Sequence, residues 1–231
     1  MEKNIKIILL LIVAIIMSSC EKKVTEIDFE KGVMTEIFPS LVDSICIDSR
    51  KMLPPPPMGE NVYDKAGHYV RTDSTKVTRE QKIEYGEWKK ERDKLEKDTS
   101  AVIIAFDPFL TKNEKLIEES KFYFPKVEIY KFKNEEESKF RFDFEKIKLN
   151  NRFKLKNISE FPKDDIFETK YDFIFSGIVS FSRIQFDKER KNGILVSGFV
   201  CGRLCGHGFI IHIKNVKNKW IVDKIQGTWI S

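Results

Sequence analysis

The sequence predicts an α+β fold in which N-terminal helices pack on a curved antiparallel sheet. Apolar residues between Phe29 and Ile47 recur at helical spacing on one broad face. Residues 171–231 instead contain apolar runs separated by short segments of turn-forming residues, which is typical of antiparallel strands. A chain of 231 residues suits one such domain with a short preceding segment.

The composition is that of a folded protein with an apolar core. Hydrophobic residues make up 41% of the chain, and 41 Lys and Arg nearly balance 36 Asp and Glu. Disorder from excess charge is therefore not expected, and a net charge of +5 does not indicate a nucleic-acid partner. The sequence has no phosphate-binding loop, dinucleotide fingerprint, zincin motif or nucleophile elbow. We therefore expect a protein that is not an enzyme, with no catalytic residues and no cofactor.

The first 19 residues have the form of an export signal. Lys3 and Lys6 precede eleven uncharged apolar residues, Ile7 to Met17. This run is too short for a stable membrane-spanning helix, which needs about 20 apolar residues, but it has the length of a signal-peptide core.

Ser18 and Ser19 precede Cys20 as in a bacterial lipobox, which predicts cleavage before Cys20 and lipidation of its sulfur. Two or three acyl chains would tether the protein to a membrane. Glu21 is not the Asp that retains lipoproteins in the inner membrane, so the outer membrane is favoured. An ordinary cleaved signal and an uncleaved short anchor are the alternatives.

Residues 20–52 are interpreted as the lipidated N-terminus and an amphipathic helix, which Pro39 should kink or divide. Cys46 lies on the apolar stripe and is interpreted as a buried thiol. Residues 53–77, with prolines at 54–57, are predicted to be a stiff linker. Residues 78–231 form the main domain, which opens with a capping box at Thr78 and a charged helix to about Lys97.

Two regions before residue 171 are predicted to contain strands. The run from Ala101 to Phe106 is a short buried strand that ends at Asp107-Pro108. Alternation at Phe140, Phe142 and Phe144, and again at residues 153–156, predicts half-buried strands.

The C-terminal part predicts a four-stranded antiparallel meander. The candidate strands are Phe173–Phe186, Ile194–Cys201, Cys205–Lys214 and Lys219–Ile225, and their connections are too short for parallel crossovers. A helix packed on such a sheet has the outline of cystatin-like or NTF2-like folds, an analogy that carries no function.

The middle hairpin has a predicted register. If residues 202–204 form its loop, Cys201 faces Cys205 and Gly198 faces Gly208. Two facing glycines leave a groove in the sheet, which suits a ligand or an aromatic side chain of the same chain, with Trp220 and Trp229 as candidates. We take Gly198, Gly208 and the loop residue Arg203 as possible binding residues.

The two cysteines of this hairpin allow three states. Opposed cysteines in an exported protein favour a Cys201–Cys205 disulfide. Reduced thiols are the second possibility. The third is a metal site formed by Cys201, Cys205 and His207, with Cys46 or water as the fourth ligand. His212 should lie on the other face of the sheet.

The C-terminal motifs resemble those of an uncharacterised family of bacterial lipoproteins. They are residues 181–187, the Cys-Gly-Arg-Leu-Cys-Gly hairpin at 201–206, Lys219-Trp220, and the end Gly-Thr-Trp-Ile-Ser. The resemblance covers about 50 residues and implies an exported antiparallel module, but it supplies no activity or catalytic residue.

From these features we expect a non-enzymatic lipoprotein of the bacterial cell envelope, tethered to the membrane through Cys20. Its partner would be an unknown envelope protein or a small ligand bound at the sheet face or hairpin tip. The alternative is a metal- or thiol-dependent enzyme site around Cys201, Cys205 and His207.

Overall fold

The computed structural model describes residues 25–114, 116, 138–149 and 152–230. Two helices, α1 (Glu26–Ile45) and α2 (Arg79–Lys97), precede most of the strands. The strands are β1 (Glu60–Tyr63), β2 (Tyr69–Asp73), β3 (Val102–Phe106), β4 (Phe109–Thr111), β5 (Lys139–Arg141), β6 (Phe153–Asn157), β7 (Ile174–Phe181), β8 (Gln185–Phe186), β9 (Asn192–Gly202), β10 (Cys205–Val216) and β11 (Lys219–Ile230). Short 3₁₀ turns occupy Ser49–Met52 and Ile158–Glu160. The predicted α+β class is confirmed at this level.

The main sheet has the strand order β11-β10-β9-β7-β3-β6, with β8 paired to β9. The last strands form the predicted meander, since β7, β9, β10 and β11 pair antiparallel in sequence order. The expectation of a purely antiparallel sheet is wrong, because β3 pairs parallel with both β6 and β7. All five residues of β3 are buried, as expected for a strand between two parallel neighbours.

Helix α1 covers one face of the sheet and forms the main core with it. Thr25 caps the helix by accepting a hydrogen bond from the Asp28 N–H, and the buried stripe from Val33 to Ile45 packs against β3, β7, β9 and β10. The helix runs through Pro39 without dividing. Phe38 and Leu41 on either side are fully buried, so packing offsets the roughly 3 kcal/mol that an interior proline costs.

A buried ion pair fixes α1 to the segment between β7 and β8. The guanidinium of Arg183 donates to Glu30 through Nε at 2.9 Å and through a terminal nitrogen at 2.6 Å. Glu30 also accepts from the Ile184 N–H at 2.6 Å, and both charged residues are 2% exposed. Burial raises the pKa of Glu30, while Arg183 and the Ile184 N–H oppose that rise.

The region between the two helices departs from the simple linker that the sequence predicts. Residues 60–73 form an exposed antiparallel hairpin, β1–β2. Helix α2 has the predicted capping box at Thr78, but it buries no residue, and Ile83 is 54% exposed. It is held by polar contacts, including Arg92 to the Lys51 carbonyl at 2.6 Å. Of these two described helices, only α1 therefore packs on the sheet as predicted.

The structure differs in detail from two further predictions, which concern the length of a strand and the end of another. Phe140, Phe142 and Phe144 are buried as expected, but the strand there is only β5, because pairing ends at Arg141 and irregular residues lead to a turn at 145–146. Strand β11 continues to Ile230, five residues beyond the predicted end at Ile225. This extension brings Trp229 opposite Gly208.

Candidate functional site

The facing glycines lie where the sequence predicts them. Gly198 of β9 pairs with Gly208 of β10, and Phe199 pairs with His207. These two glycines lie on the face of the sheet opposite α1, because their neighbours Phe199 and Ile211 point into the helix-side core. The predicted register of β9 and β10 is therefore confirmed from Phe199 inward.

Each of the two glycines has a different neighbour on this face. A Cβ at Gly208 would overlap the indole ring of Trp229, so the five-membered ring of that tryptophan lies directly over the glycine. At Gly198 the nearest atom to such a Cβ is the Ser180 hydroxyl oxygen, at 3.7 Å. Within the part of the chain that the structure describes, Trp229 thus covers Gly208, and the space above Gly198 is open.

The open half belongs to a groove that crosses the sheet. Val196, Ser197 and Gly198 form its floor. One end, of about 640 Å³, is bounded by the segment from Asp107 to Glu114 and by Ser180. The other end, of about 410 Å³, is bounded by Trp229, Thr228 and Leu116. We call this site, with its floor and both ends, the sheet groove.

Exposed aromatic rings and hydrogen-bonded polar groups line the sheet groove. Phe109 at one end is 49% exposed and Trp229 at the other is 48% exposed. The floor is held by its own hydrogen bonds, since the Ser197 hydroxyl donates to the Ser180 carbonyl at 2.9 Å. The Asp107 carboxylate accepts from the Phe109 N–H at 3.0 Å, which fixes the wall. The groove therefore presents two flat aromatic rings to a ligand, and hydrogen bonds hold the polar groups around them in fixed positions.

The β9–β10 hairpin tip is built slightly differently from the prediction. Gly202, not Cys201, pairs with Cys205, which leaves a two-residue turn at Arg203 and Leu204 and a bulge at Cys201. The shorter turn and the extra bulged residue compensate each other, so the register further along the strands is as predicted. Leu204 at the turn is 89% exposed.

The two cysteines lie at disulfide-bonding distance, with their Cα atoms 5.0 Å apart. This separation is within the usual range for a disulfide. Arg203 at the turn forms ion pairs with Glu168 at 2.5 Å and Asp165 at 3.5 Å. Through these contacts Arg203 faces the loop before β7. It is therefore not part of the same site as Gly198 and Gly208, although the sequence analysis proposed all three as binding residues.

His207 joins the cysteines as the third member of a group. One ligand atom from each of Cys201, Cys205 and His207 lies within 4.8 Å of the others, and all three residues are half-buried. Cys46 is not in this group. It caps the C-terminal end of α1 and is buried in the main core, where burial raises the pKa of its thiol. The expectation that Cys46 could supply a fourth ligand is therefore wrong.

His212 lies on the opposite face of β10 from His207, as the alternation predicts. Burial lowers the pKa of its imidazole, and the nearby Lys224 lowers it further, while Asp223 acts against them.

Sequence reasoning missed a buried carboxylate network at the end of α1. Arg50 donates to Asp48 through Nε at 3.0 Å, and Arg152 also pairs with this carboxylate. Arg50 reaches Asp98 at 2.6 Å as well. Asp48 and Arg50 are close in the sequence, but Arg152 and Asp98 are far from them and form no motif with them. Only their placement in the fold could reveal the network.

Sequence reasoning also missed Phe109, Ser180 and the wall of the sheet groove. The only available signal was the turn pair Asp107-Pro108, which indicates a loop at the end of β3. It does not show which face of the sheet that loop covers.

The predicted lipidation site, Cys20, and the signal segment 1–19 lie outside the described residues. Among the residues that the structure does describe, neither helix combines the length and apolar character needed to cross a membrane. Comparison of the chain with protein-family models, with curated proteins and with solved structures found no match.

Proposed function

We propose that this protein is a lipid-anchored binding module of the bacterial cell envelope, whose sheet groove takes a sugar ring. The sequence from Lys3 to Cys20 supports the anchor, and the absence of an Asp after Cys20 favours the outer membrane. The observation that carries the binding role is the open groove beside Gly198, flanked by exposed Phe109 and Trp229.

A sugar ring fits the chemistry of this groove. Such a ring has an apolar face of C–H groups and a rim of hydroxyl groups. The exposed indole of Trp229 can stack on the apolar face. Ser180, Asn113 and Thr228 place hydroxyl and amide groups near the rim. Lys112 and Glu114 form an ion pair at 3.7 Å on the wall, so the site does not favour a strongly charged ligand.

We propose binding rather than catalysis because the sequence carries none of the catalytic motifs named above. The wall carboxylate Asp107 accepts the Phe109 N–H. Its position is thus explained by the local backbone.

Binding of the full-length protein in detergent to a panel of immobilised oligosaccharides tests the proposal. Gly198→Leu fills the groove with a side chain, and Trp229→Ala removes the indole ring on which the sugar would stack. We expect each variant to weaken binding at least about tenfold, the equivalent of roughly 1.4 kcal/mol. Gly86→Leu and Trp88→Ala make the same changes on α2, away from the groove, and should bind like the wild type.

Failure to bind any oligosaccharide, or equal binding by the groove variants, would contradict the sugar proposal. Groove-dependent crosslinking to a protein would instead assign a protein partner.

A further inference from the structure

We propose that the reduced β9–β10 hairpin tip is a zinc site, in which Cys201, Cys205 and His207 hold the cation and water completes the coordination. Two thiolates and one imidazole are the donor set of an open tetrahedral zinc site. The ligand atoms of the three residues already lie within 4.8 Å of one another. This site shares no residue with the sheet groove, so the two proposals can fail separately.

Only small side-chain movements separate the present geometry from a zinc site. With Zn–S bonds of about 2.3 Å, two thiolates on a tetrahedral cation lie about 3.8 Å apart. The Cα separation of 5.0 Å does not have to change for the sulfur atoms to part by rotation. The bulge at Cys201 and the ladder from Gly206 onward hold the backbone on both sides.

Neighbouring contacts orient the ligands. The His207 ring stacks near Phe209, with 6.4 Å between centroids and 21° between planes. The Gly202–Cys205 and Val200–Gly206 pairs of the strand ladder hold the tip without the disulfide. The exposed ion pairs of Arg203 with Glu168 and Asp165 add little to them. Two thiolates on Zn²⁺ make a neutral unit, which a half-buried position tolerates better than a net charge.

The disulfide and the metal exclude each other, which makes the site redox-controlled. A dithiol reductant breaks the Cys201–Cys205 bond, gives two electrons and two protons to the two sulfurs, and itself becomes a disulfide. Zn²⁺ then displaces the two thiol protons and binds both thiolates. In the reverse step a small-molecule disulfide takes two electrons from the two thiolates and is reduced to thiols, the Cys201–Cys205 bond forms again, and the cation loses both sulfur ligands and is released.

The experiment uses the full-length protein, reduced with a dithiol, desalted without oxygen, and titrated with Zn²⁺ against a chromophoric chelator. Co²⁺ serves as the spectroscopic probe. We expect one Zn²⁺ per reduced chain and a sulfur-to-cobalt charge-transfer band in the near ultraviolet. His207→Ala should weaken binding by more than about tenfold, since even outer-shell partners of a metal contribute that much.

The oxidised protein and the Cys201→Ser, Cys205→Ser variant should bind no Zn²⁺. His68→Ala removes an exposed histidine in the β1–β2 hairpin and should leave binding unchanged, as should Cys20→Ser. No uptake by the reduced chain, uptake that survives oxidation, or an affinity unchanged by His207→Ala would overturn the proposal. The oxidised wild type and the histidine variants keep the test valid even if the double serine variant folds poorly.

Discussion

At the scale of single residues, Gly198 and Gly208 look equivalent in the sequence but are not equivalent in the structure. Both lie on the same face and pair with each other. A Cβ at Gly208 would overlap Trp229, whereas a Cβ at Gly198 would make an ordinary contact with Ser180. The close approach of an aromatic ring requires glycine at only one of the two positions.

Alanine substitution should separate the two glycines. We expect Gly208→Ala to push the indole of Trp229 into solvent, to shift tryptophan emission to longer wavelength, and to lower the free energy of unfolding by about 1 kcal/mol. Gly198→Ala is the matched control and should leave both quantities close to the wild type. Identical behaviour of the two variants in fluorescence and urea unfolding would show that Trp229 does not lie on Gly208.

Asp48 is the second residue whose role depends on its surroundings. Burial raises the pKa of its carboxyl group, but hydrogen bonds and charge from Arg50 and charge from Arg152 outweigh it, so the pKa lies below its usual value of 3.8. A carboxylate with a lowered folded-state pKa stabilises the protein above its unfolded pKa. That contribution is lost as the pH falls through the folded-state pKa.

We therefore expect Asp48→Asn to lower the free energy of unfolding by about 1–3 kcal/mol at neutral pH, because a charge-assisted hydrogen-bond acceptor is lost. The difference from the wild type should shrink as the pH falls below 3.8. Chemical unfolding at several pH values measures it, with Asp93→Asn on exposed α2 as the control. A difference independent of pH would contradict the ionised state of Asp48.

At the scale of elements, α1 and α2 show that helical sequence signals do not determine packing. Both begin at a threonine cap. Helix α1 has a broad apolar stripe and buries it, even across Pro39, whereas α2 alternates charges and is held by polar contacts at its surface. The apolar stripe, and not helix formation itself, decides which helix joins the core.

The β9–β10 hairpin is the element whose stability we expect to depend on oxidation. Closing so short a loop with a disulfide contributes about 2–3 kcal/mol in the chain-entropy model. The oxidised wild type should therefore unfold at a higher temperature than the reduced wild type. The Cys201→Ser, Cys205→Ser variant should match the reduced protein with or without reductant. A wild-type midpoint insensitive to reductant would contradict the disulfide.

At the scale of the whole molecule, the proposed membrane attachment belongs to the N-terminal segment and the proposed binding site to the folded domain. α1 starts at Glu26, six residues after Cys20. An anchor on Cys20 would therefore hold α1, and with it the sheet, close to the membrane surface, since so short a segment spans at most about 20 Å.

We expect Cys20→Ser to remove the acyl chains and to shift the protein from the membrane fraction to the soluble fraction, because the remaining segment lacks a stable tether. Ser19→Ala keeps a small residue before the cysteine and should remain membrane-bound. Mass spectrometry of the native N-terminus gives a direct readout. An intact Met1 or an unmodified Cys20 in the membrane-bound protein would contradict lipidation.

The sequence by itself determined those helices, strands and turns whose signals lie within a few neighbouring residues. The apolar stripe of α1, the capping box at Thr78, the buried run of β3 and the short turns of the meander each act over a few residues. Alternation along β9 and β10 then sufficed to predict the Gly198–Gly208 pair and the shared face of Cys201, Cys205 and His207.

Only the tertiary structure decided which distant segments meet. It placed β3 parallel between β6 and β7, extended β11 so that Trp229 covers Gly208, and brought Arg152 to Asp48. These contacts join residues far apart in the chain, and the free energy of burying and pairing them appears only when the segments pack together. Local sequence patterns therefore cannot predict this free energy or the contacts that depend on it.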